Sequence, residues 1–150
     1  MKLAEALQER ADLNRRIQQL QQRLNNNAIV QEGEQPAEDP AALLNELDRC
    51  AAQLEQLIAQ INLTNCRTIV DGETLTALLA RRDALTLKLN SYRGLTQAAS
   101  QLVRRGTRSE IKLLSTVNVK ELQIQVDAMA KNLRLLDNSI QAANWATELA

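Results

Sequence analysis

The chain has no histidine and no phenylalanine, and only one tryptophan, one tyrosine, four glycines, two prolines and two cysteines. Without an imidazole there is no His-dependent catalytic triad, no histidine metal ligand and no histidine pH switch. Two cysteines cannot build a four-thiolate zinc site. Cys50 falls on a helical stripe and Cys66 in an expected loop, a placement that does not read as a disulfide framework. Charge of one sign is also missing: 18 Lys+Arg balance 18 Asp+Glu. The general attraction to phosphate that a basic nucleic-acid binder uses is therefore absent. The longest stretch without a charged side chain, Gln56 to Cys66, has 11 residues and is rich in Gln and Asn. It is too short and too polar to span a bilayer. The opening MKLAEALQER puts Glu5, Glu9 and Arg10 where an export signal needs an unbroken apolar run. The expectation is a cytoplasmic protein, with nucleic acid and membrane disfavoured as partners and the membrane left open.

What the chain does contain is a helix-forming vocabulary: 26 Leu, 21 Ala and 15 Gln among 150 residues, with few breakers. Four segments carry apolar residues at alternating spacings of three and four. The first runs Leu3, Ala6, Arg10, Leu13, Ile17, Leu20, Leu24, and the second Leu43, Leu47, Cys50, Leu54, Leu57, Ile61. The third runs Leu75, Leu78, Arg82, Leu85, Leu89, Tyr92, Thr96, Ala99, Val103, and the fourth Val119, Leu122, Val126, Met129, Leu133, Leu136, Ile140, Ala143. This is the seam of helices packing nearly parallel or antiparallel. Leu7, Leu44, Ile58, Leu79, Leu102 and Leu135 flank the stripes and widen them toward the face that a bundle buries.

Boundary signals agree with the stripes. Asp39 before Pro40 caps the second helix, and Thr74 after the turn signal Asp71-Gly72 caps the third. Asn118 caps the fourth, with Glu121 as the return half of a capping box. Gly106, just past Arg104 and Arg105, closes the third, and Gly94 inside that helix should weaken or bend it. The sequence thus predicts an all-α fold: an antiparallel, coiled-coil-like four-helix bundle in one domain over 1–150, with helices at about 2–26, 40–63, 75–104 and 119–145. The connections hold extended-looking pieces, Ala28-Ile29-Val30, Thr68-Ile69-Val70 and Ile111 to Val117. A small β-element is expected where the segments near Ile29 and Leu113 meet.

Chemistry-bearing residues are sparse. Arg10 and Arg82 place a guanidinium on an apolar stripe, where an unpaired charge is costly. They either hold a ligand anion or partner subunit, or pair with acids such as Glu46, Asp83 or Asp127 and fix helix register; the second reading is preferred. Arg104, Arg105, Arg108 and Lys112 crowd one connection and form a possible anion site. No aromatics are interleaved for base stacking, and a solvated loop is the simpler reading. Glu32, Glu34, Glu38 and Asp39 surround Gly33, but their spacing matches no EF-hand loop, and no metal is expected. Ser91, Ser100, Ser109, Ser115 and Ser139 have no histidine to activate them, and neither a P-loop nor a GxGxxG run is present. No cofactor and no catalytic residue is predicted. Trp145, in the last helical turn, reads as a plug over the bundle end or an interface anchor, with the C-terminus docked.

MKLAEALQERADLNRRI at the start, VQEGEQPAEDP in the first connection, INLTN, LARRDALTLKL, RSEIKLLSTV and the late NW resemble the septicolysin-like family of small bacterial helical proteins. The resemblance covers nearly the whole length. It implies an all-helical fold, a bacterial source and, from the family's name, a pore-forming cytolysin; it supplies no catalytic residues. The residues themselves favour a different reading: a non-enzymatic, self-associating helical bundle, a homo-oligomer that acts as an assembly or protein-interaction module. The alternatives are the membrane-active cytolysin and a phosphate or nucleic-acid binder using the 104–112 loop.

Overall fold

The computed structural model describes residues 1–102 and 111–150, and the structural statements below concern those residues. The fold class is all-α, as the sequence predicts. Four long helices, α1 (Leu3–Asn26), α2 (Pro40–Arg67), α3 (Leu75–Ser100) and α4 (Val119–Ala146), are joined by one minimal sheet of β1 (Ile69–Val70) and β2 (Glu73–Thr74). The chain forms two compact units, Met1–Ile69 with Ala142–Ala150, and Val70–Gln141.

In the first unit, α1 and α2 pack side by side. Leu3, Ala6, Leu13 and Leu20 from α1 and Leu43, Cys50, Leu57 and Ile61 from α2 are buried, nearly all at heptad-like intervals. Arg16 bonds Glu46 at 3.0 Å and Arg23 bonds Glu38 at 3.0 Å. One number rises as the other falls, so the two helices run antiparallel. Fully burying a leucine or isoleucine stabilises by about 1.5–3 kcal/mol, so these stripes, rather than the exposed ion pairs, hold the helices together.

The C-terminal segment is docked on this unit, as expected. The Leu3 amide donates to the Thr147 carbonyl at 2.9 Å, the Leu149 amide to the Met1 carbonyl at 2.9 Å, and the Ala150 amide to Thr64 Oγ1 at 3.0 Å. Lys2 Nζ lies 2.6 Å from Glu148. Trp145 does not make this attachment. It is 54% exposed; the backbone of Thr147, Leu149 and Ala150 does the docking.

The helix caps follow from side chains present in the sequence. Asp39 accepts from the Ala41 amide ahead of Pro40, Thr74 accepts from the Ala77 amide, and Asn118 accepts from the Glu121 amide. Each satisfies a donor that the first helical turn leaves unpaired. Three expectations need correction. First, α2 runs on to Arg67, so Cys66 and INLTN are helical; Thr64 is buried there and accepts the Ala150 amide at 3.0 Å, a tertiary contact that holds this last stretch. Second, α3 ends at Ser100, short of the expected 104. Its closing residues turn inward, with the Ser100 and Thr96 hydroxyls donating to the Thr96 and Tyr92 carbonyls and the Gln101 amide to Ala98. Such back-bonding weakens a helix. Gly106, Arg104 and Arg105 lie outside the described residues.

Third, the β-element is not where the connections near Ile29 and Leu113 were expected to pair, and neither segment is a strand. The sheet forms in the second connection. Asp71 has φ +50° and Gly72 φ +86°, the two left-handed residues that a two-residue primed hairpin turn requires. The flanking residues therefore pair locally, whereas the expected pairing would close a far longer loop.

Candidate functional site

In the second unit, Arg82, Thr86, Leu89 and Arg93 recur at helical spacing on one face of α3, opposite Ala130, Leu133, Arg134 and Asp137 of α4. Together they line an open groove of about 360 Å³. Leu89 is 2% exposed and forms its floor. Leu133 and Ala130 are half-buried, and Arg93 and Arg134 are exposed at its edges. The groove is mainly apolar with a cationic rim.

Arg82 faces two carboxylates. Its half-buried guanidinium lies 3.6 Å from Asp83, as expected, and 3.5 Å from Asp137, which was not foreseen. Glu46 and Asp127 are engaged elsewhere: Glu46 by Arg16, and Asp127 by the Gln123 side chain at 2.9 Å. Arg10 is half-buried and has no hydrogen bond or ion pair among the described residues. Its long stem can cover apolar surface while the head reaches water. Of the basic cluster, Arg104, Arg105 and Arg108 lie outside the described residues; Lys112 is exposed.

Of the serines that the sequence singled out, Ser109 lies outside the described residues. Thr86 donates to the Arg82 carbonyl, and Ser91, Ser100, Ser115 and Ser139 each donate to a backbone carbonyl. Two of the four acids of the first connection, Glu38 and Asp39, are engaged. Arg23 holds the Glu38 carboxyl below the usual carboxylate range by hydrogen bonding to it, and Asp39 is a cap. Among the described residues no three Cys, Asp or Glu side chains gather as metal ligands, and no helix is long and apolar enough to cross a membrane.

Sequence reasoning missed Arg93 and Arg134. The signal was present for Arg93, which stands four residues after Leu89 on the face shared with Arg82. It passed unnoticed because the expected stripe continued through Tyr92. Arg134 gave no signal until α4 was set opposite α3.

The chain is 42% identical to a functionally unknown conserved protein from Corynebacterium diphtheriae known from a crystal structure, with a TM-score of 0.96 over 100% of this chain and 99% of that one. No curated protein matches it. A family of unknown function, DUF6847, matches residues 10–149, and the chain belongs to that family.

Proposed function

We propose that the chain is a non-enzymatic helical module that self-associates and serves in assembly or protein interaction. One observation carries this reading. Among the described residues of the unit Val70–Gln141, five apolar side chains are buried: Leu75, Leu78, Leu89, Val126 and Ile140. Eight large ones are exposed there: Leu87, Leu95, Leu102, Ile111, Leu113, Leu114, Ile124 and Leu135. Each forfeits much of the roughly 1.5–3 kcal/mol that burial of such a side chain contributes. The exposure is also clustered. Leu95, Leu102, Leu113 and Leu114, with Ala98 and Ala99, line one concavity of about 290 Å³. Grouped apolar surface of this kind marks a contact with another macromolecule.

Sedimentation equilibrium at micromolar concentration tests the reading. The expected mass is a multiple of the 16.7 kDa chain. Leu114→Asp, at a position 81% exposed, should lower the association without altering the helical circular dichroism. A clean single-chain mass for the unsubstituted protein overturns the proposal.

A further inference from the structure

We infer that the acidic loop between α1 and α2 of one copy seats in the α3–α4 groove of a second copy. This rests on the self-association reading and names its contact. Ile29 is 89% exposed and Val30 49% exposed. Just beyond them, Glu32 and Glu34 are exposed and make no side-chain hydrogen bond or ion pair among the described residues. The loop's other two acids, Glu38 and Asp39, are already engaged by Arg23 and the start of α2. Two apolar side chains thus sit beside two unengaged carboxylates.

The loop is held in shape by its own bonds. The Asn27 side chain donates to the Arg23 carbonyl at 2.8 Å and accepts from the Glu38 amide at 3.0 Å. The Glu34 amide donates to the Gln31 carbonyl at 3.0 Å, and Gly33 takes a φ of +85°. A loop fixed in this way loses little further freedom on docking.

The groove has the matching character. Leu89 and Leu133 offer an apolar floor in a volume of about 360 Å³. Arg82 is occupied by Asp83 and Asp137, but Arg93 and Arg134 have no hydrogen bond or ion pair among the described residues. Ile29 and Val30 enter the floor, and Glu32 and Glu34 meet the two guanidinium forks, a geometry suited to carboxylates. The complementary halves lie on one sequence, which makes a second copy the occupant. Complementary charge fixes the register of such a contact and makes it weaken with salt.

Two exposed double variants test it: Glu32→Lys with Glu34→Lys in the loop, and Arg93→Glu with Arg134→Glu in the groove. These side chains carry no described internal bond, so both variants should keep the helical circular dichroism. By sedimentation each alone should associate about tenfold or more weakly than the unsubstituted chain. An equimolar mixture of the two should re-associate, because reversed loops then face reversed grooves. Unchanged association of either variant, or a mixture that stays apart, overturns this contact while leaving self-association standing. An unsubstituted chain that is monomeric removes the parent reading first.

Discussion

Replacing Gly94 by alanine is expected to stabilise α3 by about 0.5–1 kcal/mol, the helix-interior penalty of glycine relative to alanine. The structure lets that figure stand without deductions. Gly94 lies within Leu75–Ser100, is exposed, and a Cβ built on its backbone meets nothing within 4 Å. No clash subtracts from the gain, and no new burial adds to it. For a chain of this size the midpoint should rise by about 1–4 °C. Urea unfolding followed by far-ultraviolet circular dichroism provides the assay, at one low protein concentration because association adds its own stability. The denaturant slope should be unchanged while the midpoint moves up. A lower midpoint would mean that α3 needs the glycine for a bend, the role the sequence suggested. An unchanged midpoint would equally refute the argument from backbone freedom.

Other outcomes follow from the packing. Ile140→Ala, at a fully buried position, should cost about 2–5 kcal/mol, whereas Leu87→Ala, 70% exposed on α3, should fall within about 0.5 kcal/mol in the dissociated chain; equilibrium unfolding of the pair reads the difference. Asp39→Ala removes the acceptor for the Ala41 amide and should lower stability by about 1 kcal/mol, with Asp39→Asn retaining most of it. Acidification should loosen the C-terminal docking. Lys2, and after it the amino group of Met1, hold the Glu148 carboxyl below its ordinary range, so the folded chain binds that proton less readily than the unfolded one. The contribution is present above the unfolded value and is lost as pH falls through the folded value. The protection of the Leu3 and Leu149 amides against hydrogen exchange, taken relative to their intrinsic rates, should therefore fall at acid pH, and Glu148→Gln should flatten that dependence.

The candidate groove was only half legible from the residues. Arg82 stood out because a charge on an apolar stripe violates a local rule. Its partner Asp137 lies 55 positions away, beyond any helical spacing. Arg93 and Arg134 look like ordinary surface arginines until two helices bring them to one rim. The flanking apolar residues show the opposite error. Leu44, Ile58, Leu102 and Leu135 were expected to widen a buried face, yet each is exposed, since the helices cover their stripes and leave these neighbours in water.

What the sequence determined by itself was the local order. A spacing of three and four makes the helices, because 3.6 residues per turn brings those side chains to one side. Asp39, Thr74 and Asn118 start three of them because a short polar side chain can reach an unpaired amide one turn ahead. Tertiary structure alone decided how the last residues dock beside Leu3, and which apolar side chains stay in water. Those outcomes depend on contacts between residues far apart in the chain. Periodicity says which side of a helix is apolar, and says nothing of how much of that side another element will cover.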